Sequence, residues 1–133
     1  MSPPPPKNVK IVQALWRAFE RFEVPTEPFA EAVEWHTSAD MPDSETCRGV
    51  AAIQQMLSAG WENIVDPGLE AEEMRDAGDR VAVRWRGWGR GRVSGVPIDW
   101  REAHTYTLRD GKIVEIHEYR TWAEALAAVG LAA

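Results

Sequence analysis

Polar and apolar positions change rhythm near the middle of this chain. Between residues 8 and 23 large apolar side chains recur at Val9, Val12, Leu15, Trp16, Phe19 and Phe22. Spacings of three and four gather them into one stripe on a helix with a polar back. Pro25 and Pro28 interrupt that pattern, and a short second helix is predicted around residues 27–32. VEWHT, 33–37, reads as a strand, and SADMPDSETCRG after it as a polar loop. Residues 49–59 predict a further helix with Val50, Ile53, Met56 and Leu57 on one side.

Past residue 67 the period shortens to two. GLEAEEMRD, RVAVRWRGW, PIDWREAHTYTL and KIVEIHEYR are four strand-like runs, joined by AGD, GRGRVSG and RDGK. Connections this short make an antiparallel meander, because parallel strands need long crossovers. A last helix is predicted over 122–129, with Thr121 and Glu124 in capping-box spacing and Gly130 as its stop. Helices followed by an antiparallel sheet are an α+β pattern. A curved sheet wrapped over the N-terminal helices, a cone-shaped barrel, would enclose a pocket. Residues 1–7 read as a proline-rich tail and 8–133 as a single domain.

Charge and composition narrow the partners. A net charge of −6 argues against nucleic acid, which needs a basic field. No apolar run is long enough to cross a bilayer, and the N-terminus lacks a secretory-type hydrophobic segment. The single cysteine, Cys47, has no internal partner and fits a reducing, cytoplasmic setting. Seven tryptophans can pack a core or wall a pocket for a small apolar organic molecule.

The chemistry concentrates in EAHTYTLRDGKIVEIHEYR, residues 102–120. Register decides which side chains meet, since a slip of one residue exchanges the two faces of a strand. A two-residue turn at Asp110-Gly111 sets His104 opposite His117 and leaves Glu118 on the other face. A three-residue loop, with Gly111 in the left-handed region as a bulge, sets Glu102 opposite Glu118, Tyr106 opposite Val114 and His104 opposite Ile116. The apolar pattern favours the loop: Ile98, Trp100, Tyr106 and Leu108 share a face with Glu102 and His104, as Val114 and Ile116 do with Glu118. Glu118 and His104 are therefore the candidate catalytic pair, with Glu102, Tyr106, Trp100, Ile116 and Trp35 as candidate substrate contacts. The competing structural reading is a cross-strand hydrogen-bonded pair, or an ion pair of a glutamate with Arg84 or Arg120. His36 and His117 fall on the opposite parity and read as surface or interface residues. The histidines and Cys47 show no metal-ligand spacing, so no metal is expected. Phosphate loops, dinucleotide fingerprints and nucleophile elbows are absent, and no cofactor is expected.

The order of these elements, with VEWHT, CRGVAAIQQML, DAGDRVAVRW and HTYTLRDGKIVEIHEYRTWAEAL, resembles the SnoaL-like branch of the nuclear transport factor 2-like superfamily. The resemblance runs from about residue 8 to 131 and implies a conical α+β barrel with a deep pocket, often in homodimers. Against ketosteroid isomerase, the general-base aspartate falls near Thr37 or Trp35, the oxyanion-holding acid near His104, and the oxyanion tyrosine on Leu15 or Trp16. Against limonene-epoxide hydrolase, an Arg-x-Asp pair falls on Arg80 and Ala82, the second aspartate on Glu118, and the water-holding tyrosine and asparagine near Trp35 and Thr37. That alignment turns Arg80, Ala82 and Arg84 to the pocket and Val81, Val83 and Trp85 outward, where a second copy packed on the sheet would cover them. A shift of one residue reverses this. Thr37 and Arg84 join the candidate substrate contacts on these grounds.

The expected function is acid–base catalysis of the cyclase or isomerase type on an apolar carbonyl-containing substrate. One alternative is a non-catalytic ligand-binding or accessory dimeric protein. Another is epoxide hydrolysis, against which Ala82 counts.

Overall fold

The structure, a computed structural model, describes residues 6–38 and 44–132. Most of the proline-rich tail and part of the polar loop after the first strand lie outside the described residues. The elements run α1 (Lys7–Phe19), β1 (Phe29–His36), β2 (Thr46–Arg48), α2 (Val50–Glu62), β3 (Ile64–Asp76), β4 (Arg80–Gly91), β5 (Pro97–Arg109), β6 (Lys112–Tyr119) and α3 (Trp122–Ala128). None of the described helices is long and apolar enough to cross a membrane.

The apolar stripe of α1 is buried as its spacing requires, with Val9, Val12, Leu15, Trp16 and Phe19 all in the core. The chain leaves the helix where Phe22 takes a left-handed φ of 60°, before Pro25. The helix expected at 27–32 does not form. Its residues open β1 instead, because Phe29, Val33 and Trp35 all reach the core from an extended chain. Likewise TCR, expected in a loop, pairs back on β1 as the short strand β2. At the other end α3 starts as its sequence predicts: Thr121 Oγ1 accepts from the Glu124 N–H at 3.1 Å, and Gly130 follows with φ 77°.

The six strands form one sheet in the order β2-β1-β6-β5-β4-β3. β3 to β6 are the expected antiparallel meander. β1, however, lies parallel to β6, so the sheet is mixed, and it ends at β2 and β3 rather than closing into a barrel. Helices α1 and α2 pack on one face around Val81, Val83, Tyr106, Ile113 and Ile116. On the other face, α3 packs Leu126 and Val129 against Ala82.

This settles the orientation of β4. Val81, Val83, Trp85 and Gly87 face the helices, and Ala82, Arg84, Arg86 and Trp88 face away. The reading with the one-residue shift is the observed one. With Val81 and Val83 wholly buried inside the chain, they need no second copy to cover them.

Register in the last hairpin follows neither expected pattern. Arg109 pairs with Lys112 and Leu108 with Ile113, so the turn is the two-residue Asp110-Gly111, both with positive φ (52° and 77°). A bulge then intervenes at Val114: Thr107 pairs with Glu115, Tyr106 with Ile116 and His104 with Glu118. The face predicted for Glu118 is observed, but it is reached by an irregularity inside the strand and not by a longer loop.

Close backbone approach matters at Gly87. A Cβ there would stand 2.6 Å from Trp100 Cζ2, since the Trp100 ring lies across the glycine and against Trp85. Gly60, on α2, has nothing within 4 Å of such an atom. Gly87→Ala is expected to destabilise the protein by about 1–3 kcal/mol through overpacking. Gly60→Ala is expected to stabilise it by about 0.5–1 kcal/mol through helix propensity. Urea denaturation of the two variants checks the opposite signs.

Candidate active site

A cavity of about 160 Å³ opens between α1, α2 and the concave face of the sheet. Trp16 and Phe19 of α1, Leu57 and Trp61 of α2, and Trp35, Leu69 and Trp85 of the strands form its apolar wall. Glu102, His104 and Glu118 complete it. The strands place them simply: β5 alternation puts Glu102 and His104 on one face, and the Val114 bulge swings Glu118 in beside His104.

Each polar group is held differently. Glu118 Oε2 accepts from the indole N–H of Trp35 at 2.7 Å. Burial raises the Glu118 pKa, while the hydrogen bonds from Trp35 and the Ser38 backbone pull it back down. Glu102 sits opposite Trp85 on β4. Burial first, then the charge of Glu118, pushes Glu102 up to about 7, with Arg120 offsetting part of the shift. Burial thus raises the proton affinity of both carboxylates, and the charge of Glu118 adds to the rise at Glu102.

His104 is the buried end of a hydrogen-bonded chain. The Trp16 indole N–H donates to Tyr106 Oη at 3.0 Å, and Tyr106 Oη lies 2.9 Å from His104 Nδ1. An indole only donates, so the phenol accepts from it and must place its own proton elsewhere. Tyr106 is fully buried and His104 Nδ1 is the neighbour, so Nδ1 accepts. The imidazole proton is then on Nε2, away from Tyr106. Burial pushes the His104 pKa down to about 3, which keeps the ring neutral, and raises that of Tyr106, which keeps the phenol protonated. A second donor stands nearby: the Trp85 indole N–H is buried without a partner among the described residues, and its ring lies 5.4 Å from His104.

The structure thus gathers Glu118, His104, Glu102 and Trp35 around the cavity. Tyr106 and Ile116 lie wholly buried behind it. Trp100 packs on Trp85 without lining it. Thr37 lies outside this cavity but lines, with Glu118, an outer groove; its hydroxyl both accepts from the Glu45 N–H (2.7 Å) and donates to the Glu45 carbonyl (3.1 Å), closing the β1–β2 connection. Arg84 points from the far face of β4, near Glu72 and Glu73 at 3.9 Å and 6.0 Å over the Trp122 ring. Both residues entered through an alignment whose β4 face was reversed or whose loop had another use. Sequence reasoning missed Trp85, Trp61 and Trp16 as walls. The α1 stripe and the β4 alternation carried the signal for Trp16 and Trp85.

The sequence profile of SnoaL-like domains matches residues 12–116. No curated protein sequence matches the chain. Among solved structures, an NTF2-like protein from Burkholderia pseudomallei superposes with a TM-score of 0.76 at 19% identity, covering 95% of this chain and 99% of that one. An NTF2-like protein from Burkholderia thailandensis gives 0.76 at 25% identity over 92% and 95% of the two chains. A candidate SnoaL-like polyketide cyclase from a Jannaschia species gives 0.71 at 18% identity over 97% of each.

A carboxyl whose native pKa lies above its unfolded value stabilises the fold fully only below the unfolded pKa. That contribution is lost as pH rises through the native pKa. For Glu102 the window is from about pH 4.5 to 7. Glu102→Gln should therefore be more stable than wild type at pH 8 by about 1–2 kcal/mol, a figure discounted because the carboxyl is partly solvated. The gap should narrow toward pH 5. Urea denaturation at the two pH values measures it; equal stability at both would mean the carboxyl is not desolvated.

Proposed function

This chain belongs to the SnoaL-like domain family, and we propose that within it the protein is an acid–base enzyme that moves a proton next to the carbonyl of a small, apolar substrate. The observation that carries this reading is the meeting of two half-buried carboxylates of raised proton affinity with a buried, neutral imidazole in one tryptophan-walled cavity. Members of the fold range over cyclase and other assignments, so the fold alone selects no reaction.

In the proposed reaction Glu118 is the base. Its carboxylate lines both the apolar cavity and an outer groove of about 450 Å³ shared with Ser38, Glu45 and Tyr119. A proton taken from the substrate inside can thus be returned or lost to water outside. Glu102, protonated in the neutral range, supplies the acid for the second half of the transfer. The carbonyl oxygen, as it gains charge, accepts from His104 Nε2–H and from the Trp85 indole N–H. Both donors are fixed before the substrate arrives, which is the condition under which such groups stabilise a developing enolate. A neutral imidazole suits this role, because a proton already held on Nε2 is not lost at working pH.

Size restricts the substrate. At about 160 Å³ the cavity accepts one ring-sized group, below the 300–1,000 Å³ of pockets that enclose drug-sized ligands. The reacting end of the substrate is therefore a single ring or short chain, with any remainder outside. With the one-residue shift, the cavity-side positions of β4 are Val81, Val83 and Trp85, none of them an acid, so epoxide opening has only Glu118 and Glu102 to draw on.

The test follows hydrogen exchange α to the carbonyl in small cyclic ketones in D₂O. Wild type should accelerate exchange, and Glu118→Gln should lose about 10²–10⁴-fold of that acceleration while keeping its circular dichroism spectrum. No acceleration by wild type, or undiminished exchange in Glu118→Gln, rejects the reading. Ketones that raise the melting temperature of both proteins without exchange would instead mark a ligand-holding member of the family.

A further inference from the structure

The reverse face of β1 and β6 carries a second titratable cluster that the cavity chemistry leaves unused. The two strands run parallel there, with Glu34 beside Glu115 and His36 beside His117. The two imidazoles stack, ring centres 4.4 Å apart and planes 7° from parallel. Both Nε2 atoms approach one oxygen: Glu115 Oε1 is 2.6 Å from His117 Nε2 and 3.4 Å from His36 Nε2. Glu34 Oε1 stands 3.2 Å from His36 Nε2, its other oxygen bound by Arg48 at 3.1 Å. One ligand atom each from His36, Glu115 and His117 fall within 4.8 Å of one another.

We propose that His36, Glu115 and His117 bind a divalent first-row transition-metal ion of the zinc class, with the fourth position beside Glu34. Two imidazoles and a carboxylate are the donor set such ions prefer. Ligand atoms at about 2.0–2.1 Å from a tetrahedral ion stand about 3.3–3.4 Å apart. The His36–Glu115 and His36–Glu34 distances already match. To admit the ion the His117–Glu115 contact, now at hydrogen-bond length, has to open by about 0.7 Å, and the half-exposed His117 ring has to turn out of the stack, because an ion cannot lie in the planes of two parallel imidazoles.

His36 supplies the second observation. Its Nε2 is shielded from solvent and has no hydrogen-bond partner among the described residues, although two carboxylates lie within 3.4 Å. Its Nδ1 lies 3.0 Å from the Thr46 hydroxyl. The Thr46 hydroxyl can donate or accept there; in the tautomer whose Nδ1–H donates to Thr46, the Nε2 lone pair faces the carboxylates, and a cation between them relieves the repulsion. A hydrogen bond from the far nitrogen is also the usual support of a ligating histidine.

The ion would sit directly behind the candidate active site. His36 follows Trp35 and His117 precedes Glu118, so metal binding pins β1 to β6 on the reverse side of the Trp35–Glu118 hydrogen bond. None of the ligands lines the apolar cavity, although His36 and His117 share the outer groove with Glu118, so metal binding is measured directly and not through turnover.

The test uses the full chain stripped with chelator, then dialysed against zinc, with metal counted by mass spectrometry and affinity by calorimetry. Cobalt(II) reports geometry through its visible absorption. Expected are one ion per chain, the strong visible bands of a four-coordinate cobalt ion, and a loss of about tenfold or more in affinity in Glu115→Gln and in His117→Gln. Far-UV circular dichroism confirms that the variants fold, and wild type alone is decisive if they do not. No stoichiometric ion on wild type at about 100 μM zinc, or the same affinity in both variants, overturns the proposal.

Discussion

One unpaired residue determines what both faces of β6 do. The Asp110-Gly111 turn starts the strand in a phase that would bring Glu115 and His117 to the concave face and send Ile116 and Glu118 outside. The bulge at Val114 inserts half a period, so Ile113 and Ile116, three residues apart, are both fully buried. Glu118 reaches His104 by the same half-period, and His117 meets His36. Tight turn and buried aliphatic positions could not both be satisfied by a regular strand, and the bulge reconciles them.

Placing titratable groups in an apolar wall works against stability, and the surroundings limit the cost in distinct ways. For Glu118, donors replace water, from Trp35 and Ser38. His104 avoids charge altogether, because Tyr106 and Trp16 satisfy its inner nitrogen as a neutral ring. Glu102 has neither arrangement, so it takes up a proton instead. Three answers to one desolvation problem leave a hydrogen-bonded carboxylate, a neutral imidazole and a carboxyl of raised pKa side by side.

Sequence pattern reached the fold where the signal was local. The α1 stripe, the meander and the Thr121 cap depend on neighbours within a few residues, and each is seen in the structure. The common face of Glu118, His104 and Glu102 was also legible, since alternation beside Trp100, Tyr106 and Ile116 survives an error in the loop. What failed was non-local. Nothing in FAEAVEWH announces a parallel partner more than seventy positions away, so β1 was read too short, and His36 and His117 seemed unrelated. On β4 both faces are partly apolar, one under α1 and the other under α3, and periodicity alone could not say which side held Val83 and which Ala82. Thr37 shows a different limit: a hydroxyl suited to a ligand is indistinguishable in sequence from one spent on its own turn.

Four of the seven tryptophans, Trp16, Trp35, Trp61 and Trp85, ring the cavity, and each has a different electrical neighbourhood. One donates to a phenol, one to a carboxylate, and one has its N–H unpartnered. Indole emission responds to such surroundings, and more than half of the chain's tryptophans stand where a guest would sit. Filling the cavity, or changing the charge on Glu118 beside Trp35, would alter the surroundings of those indoles, so the unlabelled chain carries its own reporters of both.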